Sequence, residues 1–323
     1  MDDVTAFVIN MDTPNGRGRW PRVEEQCRDA GLQCERVEGV NGARLSAEEV
    51  RGVAGPICQR VCTTGAIGCA LSHMACWRHV VERGLPMALI FEDDVTLVPD
   101  FRDKMAHALA NTPSDWHVLV LGCFNCQPVI QHALNFIGRH GPMFNNGVVR
   151  ELRFFGGTHA YLVSQAGAQF LLERAPKIKY HIDIQIPRIS GIRLYGVTED
   201  IGFQGGSIGT SEIVTTDFPR TLNMVLGSIR DSKGIGLDYQ VNAALFRLGP
   251  YDGPHAVVTV VVLSFLALGL AGVSWRWVLG LSALDMALFP PHAVKSPAVA
   301  LGAYGIGYGL RAALTGSARR SRG

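Results

Sequence analysis

The sequence contains no acceptor site for asparagine-linked glycosylation, because Asn111-Thr112 is followed by Pro113. It also begins with Met1-Asp2-Asp3, which is acidic rather than basic, and then runs into an apolar stretch of only strand length. This start argues against a secretory signal peptide. Both absences favour the cytosolic side of a membrane.

A strong net charge is also missing. The 30 lysines and arginines nearly balance the 28 aspartates and glutamates, which gives a net charge of +2. That balance offers no footprint for DNA or RNA, so we expect no nucleic-acid partner. Charged residues make up only 18% of the chain and hydrophobic residues 47%. The apolar excess lies after about residue 255.

No cysteine lies outside the segment from Cys27 to Cys126, which contains all eight. A chain of this length is not a small disulfide-rich scaffold, so we expect apolar or semi-buried reduced thiols. One alternative stays open. Cys123 and Cys126 have the spacing of metal ligands, and Cys58 and Cys62 are available to complete a zinc site.

Residues 1–250 alternate between patterns typical of strands and of helices, which predicts an open, doubly wound α/β sheet. Residues 123–150 are expected to form a long loop, and the segment from Gly205 a flexible crossing. The predicted strands are 4–9, 33–38, 87–91, 117–122, 158–163 and 192–197, and the predicted helices are 20–30, 67–81, a helix from about 100, and 165–175.

Residues 251–323 are predicted to form a hydrophobic, membrane-associated region with a basic tail. Residues 256–275 carry no charge and are long enough to span a bilayer. The stretches 277–289 and 298–310 fit an interfacial or re-entrant pair, or marginal spans. We therefore expect attachment to a membrane, with the first region on the cytosolic side. The alternative for 256–275 is a buried core helix.

The most informative residues are Glu92, Asp93 and Asp94, which directly follow the apolar run 87–91. In open α/β sheets, ligands bind beyond the carboxyl ends of the strands. Three adjacent carboxylates repel one another unless a cation joins them. Mn²⁺ or Mg²⁺ takes such oxygens and shares them with substrate phosphates. The alternative is a solvated acidic turn that caps the next helix, and these residues alone leave both interpretations open.

Five ordered stretches around these carboxylates resemble glycosyltransferase family 25, which includes lipooligosaccharide and procollagen galactosyltransferases. With Ile182-Asp183 after them, they extend over about residues 4–215 in the family's order. The matching stretches are 8–12, 37–42, 65–73, 89–95 and 157–164.

The resemblance implies a GT-A-type fold, with an open, mostly parallel sheet and flanking helices. It also implies a UDP-sugar donor, a divalent cation (Mn²⁺ or Mg²⁺) and inversion at the anomeric carbon. The expected reaction moves a hexose, galactose first and glucose next, to a hydroxyl of a glycan or protein acceptor.

Carried over by motif, Glu92 and Asp94 are the expected metal ligands, and Asp93 would hold the metal or the donor ribose. The nucleotide would be flanked by Asn10 and by the turn that starts at Glu38 and includes Asn41 and Gly42. Ser72 and His73 are expected to face the site as well, although a structural, hydrogen-bonded role for His73 is an equal alternative. Arg17 or Arg19 is available for the donor phosphates, or is simply a solvated loop charge.

An inverting transfer needs a general base for the acceptor hydroxyl. The family motif points to Asp183, with an ion pair or a helix cap as the alternative role. Glu199 and Asp200 are in reserve. For His159 a structural role is favoured.

One departure from the family is Ala66, which stands where the family commonly has an acidic residue. It motivates a second hypothesis, a non-catalytic relative that binds nucleotide or glycan. A third, remote hypothesis makes the C-terminal region part of a channel or transporter with an α/β regulatory domain.

Overall fold

The computed structural model describes residues 4–124, 126, 143–204, 244–249, 251, 256–288 and 295–320. The chain divides into two compact units, Met1–Gly206 and Ser207–Gly323. The predicted domains, 1–250 and 251–323, stay a prediction.

A seven-stranded sheet forms the centre of the first unit, in the order β2-β1-β3-β7-β5-β8-β6. Five of its strands run in one direction, whereas β7 and β6 run in the other, so the expected mostly parallel sheet is confirmed. A short ribbon pairs β4 with β9. The strands are β1 Thr5–Asn10, β2 Gln33–Glu38, β3 Met87–Glu92, β4 Val95–Leu97, β5 Val118–Phe124, β6 Val149–Glu151, β7 Gly156–Ser164, β8 Leu194–Val197 and β9 Gly202–Gln204.

Helices cover both faces of this sheet. In β1, Ala6 and Val8 belong to a buried cluster that includes Val23 and Phe101 from helices on one side. Phe7 points to the opposite face, since side chains alternate along a strand, and its ring lies 5.7 Å from that of His79. The helices are α1 Pro14–Asp29, α2 Ala47–Val53, α3 Pro56–Val61, α4 Thr64–Glu82, α5 Phe101–Ala110, α6 Gln165–Arg174 and α7 Ile182–Gln185, with 3-10 turns at Gly42–Arg44 and Ile186–Arg188.

Local signals placed several element ends correctly. Gly31 follows α1 with φ of 64°, the left-handed conformation expected of a glycine that stops a helix. Ser164 caps α6, since its hydroxyl accepts a hydrogen bond from the Gly167 amide. In the predicted loop 123–150, residues 125 and 127–142 lie outside the described residues, but its end forms strand β6. The expected crossing segment from Gly205 also lies outside them.

The cysteines differ from expectation, because six of them form disulfides rather than reduced thiols. Pairs close in sequence are brought within 4.6–6.1 Å between Cα atoms, a distance that a disulfide bridges. The four cysteines of the alternative zinc site are therefore consumed in disulfides. The pairs are Cys27–Cys34, Cys58–Cys62 and Cys123–Cys126, and the free cysteines are Cys69 and Cys76.

In the second unit, the stretch 256–275 is not one long helix. Its first four residues form β11 (Ala256–Thr259), which pairs with β10 (Ala244–Leu248). Helix α8 (Val260–Ala271) then ends at Gly272, whose φ is 75°. The remaining helices are α9 Trp275–Leu288 and α10 Lys295–Arg320.

Within the described ranges, no helix combines the length and the apolarity that crossing a bilayer requires. The predicted C-terminal membrane helices are therefore wrong, since strand pairing and a glycine stop divide the apolar run. The predicted attachment to a membrane and localisation there depended on that span, so these two predictions are also wrong.

Candidate functional site

The ends of three neighbouring strands lie side by side at one edge of the sheet. Asn10 pairs with Glu38 across β1 and β2, and Ile9 pairs with Glu92 across β1 and β3. Strand β7 runs the other way, so its first residues, including Thr158, reach the same edge. The fold therefore brings the predicted residues of β1, β2 and β3 together.

Asp93 is held inside the protein by two partners. The Arg19 guanidinium contacts both carboxylate oxygens, at 2.8 and 3.2 Å, and the Asn10 amide donates to Oδ2 at 2.6 Å. Burial raises the pKa of Asp93 above its ordinary value, although Arg19 opposes the shift. Asn10 also donates to the Gly16 carbonyl and accepts from Arg36, so its amide is fully used within the protein.

Glu92 lies between β7 and helix α4. The Thr158 hydroxyl donates to Glu92 Oε1 at 2.6 Å, and His73 Nε2 lies 3.5 Å from the same oxygen. Burial raises the pKa of the Glu92 carboxyl, but His73 and the Thr158 hydrogen bond outweigh it and leave the pKa below its ordinary value. Glu92 is therefore an ionised carboxylate at neutral pH.

Asp94 is buried but only half satisfied. The Gln204 amide donates to Oδ2 at 2.9 Å, whereas Oδ1 has no hydrogen-bond partner in the part of the chain that the structure describes. Burial, with the negative charge of Glu92, raises the pKa of Asp94 to about 7. A buried carboxylate oxygen without a partner is costly, and a bound cation removes that cost.

Helix α4 adds two further side chains beside Glu92. The Cys69 thiol, the His73 imidazole and the Glu92 carboxylate each offer an atom within 4.8 Å of the other two. His73 is completely buried, and its Nδ1 lies 2.9 Å from the Tyr161 hydroxyl. We call these three residues the α4 cluster. Cys69 was not predicted from the sequence, although its four-residue spacing from His73 places both on one helix face.

The predicted nucleotide-binding turn is anchored to the same helix. The Val40 amide donates to the Ser72 hydroxyl, which in turn donates to the Gly68 carbonyl, each at 2.8 Å. Ser72 therefore positions the turn. Asn41 caps the following 3-10 turn, and the Glu38 side chain is exposed. A Cβ on Gly42 would lie 1.9 Å from the Thr64 carbonyl oxygen, so only glycine permits this approach.

Asp183 approaches the start of β7, where its carboxylate accepts a hydrogen bond from the Gly157 amide at 3.0 Å. Gly157 has φ of 78°, which favours glycine. His159 Nε2 lies 3.3 Å from the Gly202 carbonyl oxygen, a contact that fits the structural role expected of it. The reserve candidate Glu199 is exposed.

The structure also shows the surroundings of the two arginines considered for the donor phosphates and of Ala66. Arg17 forms an exposed ion pair with Asp12 at 2.7 Å, whereas Arg19 is the arginine that reaches the acidic residues. Ala66 is buried in the first turn of α4, and one turn separates it from Cys69. A longer side chain at position 66 would therefore project from the helix face that bears the α4 cluster.

Known proteins with similar sequences include glycosyltransferase 25 family members and procollagen galactosyltransferases. A Homo sapiens protein named inactive glycosyltransferase 25 family member 3 is 31% identical over 151 residues, which cover 43% of this chain and 24% of that protein. Procollagen galactosyltransferase 1 of Danio rerio is 27% identical over 182 residues, which cover 53% of this chain and 28% of that protein. Procollagen galactosyltransferase 2 of Homo sapiens is 28% identical over 127 residues, which cover 36% of this chain and 20% of that protein. The chain thus matches about a quarter of the length of these relatives.

The model of glycosyltransferase family 25 (LPS biosynthesis protein) matches residues 3–186, which is more than half of the 323 residues. The match includes β1, the acidic residues after β3, helix α4 and Asp183. The chain therefore belongs to glycosyltransferase family 25.

Proposed function

We propose that the protein is a metal-dependent, inverting glycosyltransferase that moves a hexose from a UDP-sugar to a hydroxyl of a glycan or protein. Galactose is the first candidate for the sugar, because two of the relatives are named procollagen galactosyltransferases. Glucose is the next candidate.

The observation that supports this proposal best is the environment of Asp94. It combines a buried carboxylate oxygen without a hydrogen-bond partner, in the described part of the chain, with a second carboxylate close enough to raise its pKa. Loss of a proton leaves two adjacent negative charges, which a divalent cation neutralises.

The donor set at this point suits a hard cation. Glu92 and Asp94 offer carboxylate oxygens, which Mn²⁺ and Mg²⁺ prefer, and Asp93 is engaged by Arg19. When bound, such an ion would stabilise the charge that develops on a leaving nucleoside diphosphate. The chain itself would hold that ion through Glu92 and Asp94. Asn10 keeps the end of β1 in place, and Ser72 keeps the turn after β2 in place.

The test is UDP binding and UDP release by the purified chain with several UDP-hexoses, with and without Mn²⁺. We expect Mn²⁺-dependent binding and turnover, both lost in Asp94→Ala. Asp103→Ala is the matched control, because Asp103 is an exposed aspartate on α5. The proposal is wrong if the folded wild-type chain neither binds UDP with Mn²⁺ nor releases UDP from any donor.

A second candidate function is a non-catalytic member of the family that binds UDP without turnover. Its support is Ala66, together with the similarity to a relative named inactive. Because position 66 shares a helix face with the α4 cluster, Ala66→Glu restores the missing carboxylate beside the site. UDP binding without turnover in the wild type, with turnover gained in Ala66→Glu, would favour this second function.

A further inference from the structure

The α4 cluster contains two groups that the proposed transfer does not use. A UDP-sugar site with a hard cation needs carboxylate oxygens, but it needs neither the Cys69 thiol nor the Nε2 atom of His73. Both side chains nevertheless converge with Glu92, with one ligand atom of each within 4.8 Å of the others. Sulfur, imidazole nitrogen and carboxylate oxygen together are a ligand set for zinc rather than for magnesium.

His73 is oriented as a metal ligand is. Its Nδ1 lies 2.9 Å from the Tyr161 hydroxyl, and that hydroxyl accepts a hydrogen bond from Trp77 Nε1 at 2.9 Å. All three side chains are buried. Outer hydrogen bonds of this kind fix the ring and leave the other nitrogen available to a metal. Apart from its 3.5 Å contact with Glu92 Oε1, Nε2 makes no hydrogen bond with any residue that the structure describes.

The separation between the nitrogen and oxygen ligands also fits. A zinc ion lies about 2.1 Å from nitrogen and oxygen ligands, so two such atoms in a tetrahedral site are ~3.4 Å apart. His73 Nε2 and Glu92 Oε1 are 3.5 Å apart. Glu92 Oε1 also accepts from Thr158, which orients the carboxylate as Tyr161 orients the imidazole.

We propose that Cys69, His73 and Glu92 form a binding site for one thiophilic divalent cation, of the class of Zn²⁺. The cation replaces the Cys69 thiol proton, which leaves to solvent, and the thiolate and carboxylate then balance its two charges. Three protein ligands leave a fourth position open, as in zinc sites that bind water or a substrate. This inference goes beyond the proposed transfer reaction. The two sites share Glu92, but the test below detects the Cys69 thiolate and does not depend on glycosyl transfer.

Burial and the charges of Glu92 and Asp183 raise the pKa of the Cys69 thiol well above its ordinary value. The metal-free thiol is therefore protonated and unreactive at neutral pH. A cation that binds here must displace that proton, and the negative charges that oppose the thiolate also attract the cation.

The test uses the full chain, treated with chelator, desalted and kept without reductant so that the six paired cysteines stay in disulfides. Addition of Co²⁺ alone should give a thiolate-to-cobalt charge-transfer band in the near ultraviolet that saturates at one equivalent. Zn²⁺ should abolish the band. Absence of a saturable band in the folded wild-type chain would overturn the proposal, and since no donor sugar is present, that outcome is independent of glycosyl transfer.

Cys76 provides the matched control. It is the other free cysteine, lies seven residues further along α4 and is completely buried. We expect Cys76→Ala to retain the cobalt band and Cys69→Ala to lose it, with Zn²⁺ affinity reduced more than about 100-fold. If both variants retain the band, the thiolate ligand is not Cys69 and the assignment fails.

Tyr161→Phe tests the outer hydrogen bond without touching a ligand. It removes only the hydroxyl that orients His73, so we expect Zn²⁺ affinity to fall by about 10–100-fold while the cobalt band persists at higher Co²⁺. Unchanged Zn²⁺ affinity in folded Tyr161→Phe would contradict the role of His73 Nε2.

Discussion

At the scale of single residues, three adjacent carboxylates have three different environments. Asp93 is compensated by Arg19, Glu92 is ionised between Thr158 and His73, and Asp94 is buried with one oxygen unpartnered among the described residues. The pKa of Glu92 lies below its ordinary value, whereas that of Asp94 is raised to about 7. Carboxylates whose pKa values are separated in this way take different roles in a site.

Replacement of Asp94 should reverse a pH-dependent loss of stability. The folded chain holds the Asp94 proton up to a pKa of about 7, whereas in the unfolded chain the group loses it near 3.8. Stability therefore falls as pH rises between these values and is lowest above the folded pKa. Without metal, we expect Asp94→Asn to be more stable than wild type at about pH 8.

That advantage should shrink by about 2–3 kcal/mol between about pH 8 and about pH 5, because a tenfold difference in proton affinity between the folded and unfolded chains corresponds to about 1.4 kcal/mol. Denaturant unfolding in chelator at both pH values measures it, with Asp103→Asn as the control. An advantage that is the same at both pH values would show that Asp94 titrates normally.

Asp183 is the residue predicted to act as the general base, and its contact with Gly157 allows a clean test. Asp183→Asn keeps a carbonyl oxygen that can accept the Gly157 amide proton, so the start of β7 stays in place. We expect kcat to fall by about 10²–10⁴-fold with little change in UDP affinity. Steady-state kinetics and calorimetry measure the two effects, and a loss of UDP affinity without loss of kcat would assign Asp183 a binding role.

Single residues were predictable where the chain itself supplied the context. The acidic triplet after a buried strand and the motif of α4 led to residues that the fold brings together, Glu92 and His73, while their roles stay a prediction. Cys69 and Thr158 were missed, because their positions beside Glu92 depend on how α4 and β7 pack against the end of β3. Thr158 is also 66 residues from Glu92 along the chain. The hydroxyl of Ser72 was expected at the site but is used to hold a turn.

At the scale of elements, helix α4 fixes the turn after β2 through glycine contacts. A Cβ on Gly68 would lie 2.3 Å from the Val40 carbonyl oxygen and 2.8 Å from the Gly42 amide, both of which are backbone atoms. Helix propensity alone would make Gly68→Ala stabilising by about 1 kcal/mol. The clash outweighs the gain in helix propensity, so we expect Gly68→Ala to lower the free energy of unfolding by about 1–3 kcal/mol.

Gly52→Ala in α2 is the matched control, since nothing lies within 4 Å of the place that its Cβ would take and φ is not in the left-handed region. It should be neutral or gain up to about 1 kcal/mol. Unfolding midpoints of both variants in urea give the comparison. A stabilising Gly68→Ala would mean that the turn is not held against α4.

Elements were predicted best where periodicity and a cap agreed, as at Ser164 and α6. Prediction failed where a distant partner decides the structure. Strand β6 exists because it pairs with β8, and β11 because it pairs with β10, so neither is visible in a local window. The latter pairing removed four residues from the apolar run that had predicted a membrane span. Disulfide partners likewise depend on backbone approach, which composition does not contain.

At the scale of the whole molecule, the first unit contains a complete sheet and its apolar core. All seven strands of that sheet end by Val197, and its buried cluster extends from Ala6 to Ile201. The family match also ends within this unit, at residue 186. Gln204, which donates to Asp94, is included as well. These facts favour a shorter autonomous domain than the predicted 1–250.

A chain ended after Gly206 should therefore fold and bind UDP with Mn²⁺ to within about threefold of the full chain, since its core loses no member. The comparison is a second chain ended after Pro250, the boundary predicted from composition. Thermal unfolding of both shortened chains and of the full chain tests folding, and calorimetry on the same three chains measures their affinity for UDP. Cooperative unfolding of the shorter chain places the boundary near 206. If only the longer chain unfolds cooperatively, residues 207–250 contribute to the domain and the sequence-based boundary is the better one.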